Sequence, residues 1–148
     1  MHPKYKEVYD WLVVNTNRAD RVQELHQAIQ LAAKELHGIR SFKQDMLVHQ
    51  VQFARPAQEV VFPLSNLKAP FTSLVEVRGV KFPESQPRVE YQGNALKVNF
   101  CGVESGMHVK FVSVPDISPT TVSWVFNTGM EALKLTAARN FYSSVQNT

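Results

Sequence analysis

The residues of this chain that could carry out chemistry are a single cysteine and five histidines. Cys101 could act as a nucleophile with His108 or His49 as its base, because a nearby imidazole lowers the pKa of a thiol and so favours the reactive thiolate. The alternative is that Cys101, which follows the predicted buried residue Phe100, packs as a small apolar side chain at the end of a strand. A Cys101-dependent hydrolase is therefore the least favoured function of those considered.

Metal and cofactor chemistry finds little support in the spacing of the remaining residues. His26 and His37 lie eleven residues apart on one predicted helix, too far to bind one metal ion at about 1.5 Å per residue. We interpret them as surface or interface residues. The sequence also lacks a Gly-x-Ser-x-Gly elbow, a phosphate-binding glycine loop, a His-Glu-x-x-His motif and paired cysteines. We expect no catalytic residues, no metal, no cofactor and no enzymatic activity.

Composition limits the class of protein. The 148 residues fit one domain, and 44% hydrophobic with 20% charged residues is enough to form a core. The net charge of +3 comes from scattered basic residues, so it predicts no nucleic-acid patch. No apolar run approaches the roughly 18–20 residues of a membrane span, and the first residues lack a secretory signal. With one cysteine, these features favour a soluble protein made in the cytosol.

The first forty residues predict two helices. The first helix has apolar residues at three- and four-residue steps from Tyr5 to Val13 and ends at 15–17. Asn17 is predicted to cap the second helix, with Asp20 reaching back to free amides and Gly38 near its end. The apolar face of the second helix is formed by Val22, Leu25, Ile29, Ala32, Leu36 and Ile39.

From residue 46 to 114 the apolar period changes to two, which is typical of strands. Residues 51–53 and 59–63 predict a hairpin around a turn at 55–58, and 74–80 predicts a further strand in which Gly79 indicates a bulge or a close approach. A second hairpin is predicted around 92–94. Its second strand is predicted to end at Gly102–Gly106, and 108–114 opens another, which gives five or six short antiparallel strands.

A final helix is predicted to begin at Ser118-Pro119, an N-cap followed by proline in the first turn. Its main apolar stripe contains Val122, Val125, Phe126, Met130, Leu133, Ala137 and Phe141. Further apolar residues form a second row, which needs a second surface to cover it. That surface is either a neighbouring subunit or the rest of the same chain. The candidate interface residues are Trp124, Leu135, Ala138, Phe141, Tyr142 and Val145.

Together these segments predict an α+β fold with two N-terminal helices, a small antiparallel β region of five or six strands, and a long C-terminal helix. We expect a single domain over residues 1–148. Its segments are helical over 1–45, β over 46–115, and a C-terminal helix over 116–148.

The order of elements resembles that of the head-to-tail adaptor (connector or neck) proteins of tailed bacteriophages, especially short-tailed ones. Residues 23–46 resemble the family's helix where it enters the β region, and 74–82 its central strand. Residues 108–121 and 125–142 are similar to its last strand, proline-containing connector and closing helix.

The resemblance implies a structural virion protein without catalytic residues. It implies a homo-oligomeric ring, commonly of twelve subunits, that binds the portal protein and presents a platform to the tail nozzle or tube. Genomic DNA would pass through the channel during ejection without sequence-specific binding. By analogy the final helix and 141–148 face the portal, while the β region faces a neighbour or the tail. The protein would reside in the virion neck after assembly in the host cytoplasm, with no membrane partner.

A rival interpretation is a β module that binds single-stranded nucleic acid, because Phe and Tyr on strands can stack bases. The alternating apolar positions of these aromatics favour core packing instead. The residues concerned are Phe53, Phe62, Phe82, Tyr91, Phe100 and Phe111.

Overall fold

A computed structural model describes residues 1–84 and 86–146 of the protein. The fold is α+β, with three helices and a four-stranded antiparallel sheet among the described residues. The chain divides into two compact units. We call them the helical unit, formed by Met1–Gln44 and 115–146, and the β unit, formed by Asp45–Val114. The unit boundaries lie within one residue of the predicted change from helical to β segments.

The helical unit contains α1 (Pro3–Thr16), α2 (Val22–Gly38) and α3 (Met130–Gln146). The two predicted N-terminal helices are confirmed, and their buried faces form one core with α3. Val22 and Ile39, which the spacing predicts on the apolar face of α2, are exposed, and Ile39 lies beyond the end of the helix. None of the described helices is both long and apolar enough to cross a membrane. The buried core residues are Tyr5, Val8, Leu12, Leu25, Ala28, Ile29, Ala32, Ala33, Val125, Phe126, Leu133, Ala137 and Phe141.

The predicted cap of α2 is wrong. Asn17 instead ends α1, where it adopts a left-handed conformation (φ 53°) and its N–H donates to the Val13 carbonyl at 2.9 Å. Asn tolerates this conformation better than most residues, which suits it to a helix C-terminus. Asp20 does not reach the amides of α2 but pairs with Arg18 at 3.1 Å. That hydrogen bond from Arg18 holds the pKa of the Asp20 carboxyl below its usual value.

The C-terminal helix begins at Met130, twelve residues after the predicted start. Ser118 does act as a local cap, but its Oγ accepts from the amides of Thr120 and Thr121 at 3.3 and 3.1 Å and closes a turn. A short 3₁₀ turn at Trp124–Phe126 follows. The stretch predicted as the first turns of the helix is therefore irregular, although its apolar residues still join the core.

The β unit contains β1 (Met46–Pro63), β2 (Ser73–Gly79), β3 (Arg88–Gln92) and β4 (Ala95–Val112). Strand β4 is central: β1 pairs along one side of it, while β2 and β3 pair with opposite ends of its other side. The prediction of five or six strands is therefore wrong, since the described residues form four.

The strand count differs because two predicted turns do not reverse the chain. Residues 55–58 and 102–106 lie in two continuous long strands and face each other across the β1–β4 pair. Gln52 pairs with Gly106 and Glu59 with Asn99 in one common register, and only the pairing between them is irregular. The predicted first hairpin is therefore a local interruption of a long ladder, as at a β-bulge.

The long strands bend sharply at this interruption. The rings of His49 and Phe62 lie 5.7 Å apart although thirteen residues of β1 separate them, a length that a straight strand would extend over roughly 40 Å. Phe71 similarly contacts both Phe111 (6.3 Å) and Tyr91 (6.5 Å). The sheet therefore curls around its own core. The buried core residues are Phe62, Leu67, Val77, Leu96, Val98, Phe100, Met107, Val109 and Phe111.

Two predictions that rest on glycine are confirmed. Gly93 has a φ of 60° in the tight turn between β3 and β4, a conformation that glycine adopts without steric cost. Gly79 is a site of close approach, because a Cβ there would lie 2.6 Å from Oε1 of Glu104.

Candidate functional site

The structure separates the six candidate interface residues into three environments. Phe141 belongs to the buried core of the helical unit. Trp124, Ala138 and Val145 are partly buried against that core. Leu135 and Tyr142 are exposed, at 63% and 48%. The second apolar row is therefore partly absorbed by the chain's own core.

What remains available to a partner is a strip on α3 that we call the α3 outer row: Leu135, Ala138 and Tyr142. Their spacing of three and four residues places them along one face of the helix. The Tyr142 hydroxyl donates to the Asn15 carbonyl at 3.3 Å, which fixes the ring against the end of α1. The centre of a protein interface is its most apolar part, and tyrosine is among the residues enriched there.

Charged residues frame the α3 outer row. Arg139 donates to Glu35 of α2 at 2.7 Å. Lys134 lies 3.9 Å from Glu7 of α1, and its ammonium lies over the Trp11 ring at 6.0 Å. An apolar centre with a polar rim is the ordinary arrangement of a protein–protein contact.

Trp124 lies in a second surface feature, an open groove of about 380 Å³. The Trp124 ring packs edge to face against the Phe42 ring at 4.9 Å, and the Arg40 guanidinium lies over the Phe42 ring at 5.0 Å. The groove therefore brings two aromatic rings and the Arg40 guanidinium together. It is lined by Arg40, Ser41, Phe42, Lys43, Gln44 and Trp124.

Within residues 1–84 and 86–146, the structure does not pair Cys101 with a histidine, as a nucleophile and its base would require. Cys101 is free and exposed on β4, so it is not the packed apolar side chain of the alternative interpretation. The His49 ring packs against the Phe62 ring at 5.7 Å. Among the described residues, no hydrogen bond joins His49 or His108 to the Cys101 thiol. Within the described ranges, no group of three or more His, Cys, Asp and Glu side chains could hold a metal ion.

The two helical histidines have structural roles that the sequence did not indicate. His26 lies 2.7 Å from the Tyr5 hydroxyl and stacks on Tyr9 at 4.9 Å. His37 is buried and hydrogen-bonded to Ser123 Oγ at 2.7 Å. Helical spacing could have shown that His37 follows the buried face of α2, but its partner lies 86 residues further along the chain.

The strand aromatics mostly pack into the core of the β unit, as their alternation favours. Phe62, Phe100 and Phe111 are buried, and Phe53 packs against Phe100. Phe82 and Tyr91 are exposed. Phe82 lies between β2 and β3 and Tyr91 lies on β3, so of these six aromatics only Tyr91 is an exposed ring on a strand.

Glu104 is a buried acid that sequence reasoning missed. Its side chain is 1% exposed and packs on Gly79, and its Oε2 has no hydrogen-bond partner among residues 1–84 and 86–146. A buried carboxylate oxygen without a partner destabilises the fold, because its hydration is not replaced. The sequence contains one indirect indication of this contact, because a glycine inside a strand, Gly79, predicts that another group comes close but does not identify it as Glu104.

Comparison with known proteins finds no protein-family model that matches the chain and no curated protein that is significantly similar to it.

Proposed function

We propose that the protein is a non-enzymatic structural component of a tailed-phage virion. Copies of it form a ring, of twelve subunits in the usual form of such adaptors, between the portal protein and the tail nozzle or tube. Genomic DNA passes through the ring without sequence-specific contacts. The proposal rests on the resemblance of the whole chain to head-to-tail adaptors and on one structural observation, the exposed α3 outer row.

The α3 outer row supports self-association because Leu135 places a large apolar side chain in solvent on an ordered helix. A fully buried leucine side chain gains roughly 1.5–3 kcal/mol by leaving water. Copies joined head to tail by such a contact close into a ring when the rotation between them divides a full turn. A contact that is weak for one pair is then reinforced by closure, since each subunit is held on two sides.

The proposal is tested by measuring the mass of assemblies with and without portal particles. Mass photometry of the wild-type protein should show one closed oligomer, alone or on the portal. Leu135→Lys should raise the concentration at which half the protein is assembled by about tenfold or more, because it places a charge in the apolar centre of the contact.

Leu31→Lys is the matched control. Leu31 is also an exposed leucine on a helix, α2, and each of the two leucines has a glutamate four residues away, Glu35 or Glu131. The control should assemble like the wild type. A wild-type protein that stays monomeric both alone and with portal particles contradicts the proposed function.

A further inference from the structure

Strand β1 forms one edge of the curled sheet. Its first half, residues 46–52, pairs with 106–112 of β4 on one side only. No backbone hydrogen bond within 1–84 and 86–146 reaches its other side from another segment. We call this side the β1 edge. It presents a row of backbone N–H and C=O groups that an extended chain can satisfy.

The β1 edge lacks the features by which proteins protect a strand edge. Residues 46–54 contain no Asp, Glu, Lys, Arg or Pro, and Val48 is 59% exposed. The second half of β1 differs, because Arg55, Pro56 and Glu59 and the irregular pairing all lie there. Charge, proline and bulges are the usual barriers to edge pairing. Only the first half is therefore open to another strand.

Strand β2 forms the opposite edge of the sheet, across the same segment of β4. It pairs with 107–112 of β4, the segment that also pairs with the β1 edge. Both strands are antiparallel to β4, so they run in the same direction. The charged residues of β2, Glu76 and Arg78, neutralise each other at 3.2 Å. The register of β2 on β4 shifts between Leu74 and Glu76, so its regular pairing covers residues 76–79. Within 1–84 and 86–146 no backbone hydrogen bond from another segment reaches the outer side of these residues, so the sheet has an open edge on each side of 107–110 of β4.

We propose that the β1 edge of one copy pairs in parallel with β2 of the next copy, so that the sheet continues from subunit to subunit. This inference rests on the proposed ring, since it specifies a contact between neighbours. The two edges belong to different strands, so their pairing is head to tail, as ring closure requires. If rotation about an axis along the strands relates the copies, Val48 lies beside Glu76 of the neighbour and Gln50 beside Arg78.

The first test uses Val48→Glu with Val61→Glu as its control. Both valines are on β1, they are 59% and 54% exposed, and each faces a lysine of β4, Lys110 or Lys97. Only Val48→Glu places its carboxylate beside Glu76 of the next copy, and like charges on adjacent strands repel. In mass photometry it should raise the concentration for half-assembly by about tenfold, while Val61→Glu assembles like the wild type.

The second test is a disulfide trap in a Cys101→Ser background. Gln50→Cys and Arg78→Cys on one chain are separated by β4, about 9–10 Å apart, so they cannot bridge within a subunit. Between neighbours they would be one strand spacing apart, within reach of a disulfide. Oxidation of the assembled double variant with copper phenanthroline should give a ladder of covalent oligomers on a non-reducing gel, and neither single variant should.

Each outcome decides the inference. Equal assembly of Val48→Glu and Val61→Glu, with no covalent ladder from a ring that does form, overturns the strand pairing and leaves the ring. Covalent dimers from Gln50→Cys alone show β1 paired with β1 of a second copy, and this also overturns the inference. A wild-type protein that never assembles overturns both the inference and the proposed function.

Discussion

The Tyr5 hydroxyl lies in the core of the helical unit, 2.7 Å from His26 Nδ1, with its ring stacked on Phe126 at 6.0 Å. Burial, the largest cause, raises the pKa of Tyr5 to about 12; a hydrogen bond with Gln30 lowers it and the nearby Tyr9 raises it. The folded pKa therefore exceeds the value of about 10 in an unfolded chain.

A pKa raised in the folded state makes stability fall at high pH. Below pH 10 the contribution of Tyr5 to folding is complete, and it is lost as the pH rises from 10 towards 12, because the unfolded chain then releases a proton that the fold retains. The loss should be on the order of 2 kcal/mol. Urea unfolding of the wild type and Tyr5→Phe at pH 9 and pH 11.5 should show a smaller decrease in the variant.

Tyr91→Phe controls for the general effect of alkaline pH, since Tyr91 is exposed on β3. It should lose as much stability as the wild type over this range. If Tyr5→Phe falls as steeply as Tyr91→Phe, Tyr5 is not the group that titrates.

The role of a residue could be predicted where it depends on neighbours in sequence, and could not where it depends on a partner far along the chain. Gly79 indicates a close approach by being a glycine inside a strand, yet Glu104 could not be identified as its neighbour. The spacing of α2 could have shown that His37 is buried, but nothing near it in sequence identifies its partner Ser123. Leu135 and Phe141 both fit an apolar row, and only the packing of α3 separates the exposed side chain from the buried one.

At the level of elements, β4 depends on Gly106 to hold its pairing with β1. A Cβ at this position would collide with the Val51 carbonyl oxygen. Gly106→Ala should therefore lower the free energy of unfolding by about 2 kcal/mol, since the backbone of the pair must shift. Thermal unfolding followed by circular dichroism measures the loss.

Gly102→Ala is the matched control on the same strand, because a Cβ at Gly102 meets nothing within 4 Å. It should be neutral or stabilise slightly by restricting the unfolded chain. Similar melting temperatures for the two variants would show that the contact between Gly106 and Val51 does not limit the ladder.

Elements defined by short-range signals were predictable. The spacing of Leu25, Ile29 and Ala32 in α2 and the Gly93 turn act over a few residues, and both are present. The interruption at 55–58 could not be distinguished from a hairpin, because Arg-Pro-Ala-Gln has the composition of a turn. In the structure β1 does not reverse at this point, because it is paired with β4 in the same register on both sides of the interruption.

For the whole molecule, the β unit is a continuous segment with its own core. Its ends are adjacent, since the Ser113 N–H donates to the Asp45 carbonyl at 2.8 Å. A fragment of residues 45–114 should therefore fold alone, as many domains of about 55–65 residues do. A dispersed amide NMR spectrum and a cooperative thermal transition are expected.

A fragment that begins at residue 53 is the control, because it lacks the half of β1 that pairs with 106–112. It should lose the cooperative transition. A disordered spectrum from residues 45–114 themselves would contradict independent folding.

The α+β class was predictable because the apolar period changes twice, near residues 46 and 115, and these changes coincide with the unit boundaries. The curl of the sheet was not, since it depends on the bend that brings His49 to Phe62. Whether the final helix needs a partner was also left open by the sequence. The apolar residues before Met130 lie in an irregular segment and pack into the core. Within the second row, Ala138 and Val145 pack against that core, while Leu135 and Tyr142 stay exposed.

The order of the units along the chain has a consequence for synthesis. The ribosome completes all of the β unit before it makes α3, whose Leu133, Ala137 and Phe141 fill the helical core. Nascent chains therefore pass through a stage in which α1 and α2 are finished but uncovered, while the later-made β segment can already fold. Helices α1 and α2 are thus translated before the β unit but reach their native packing only after α3 is made.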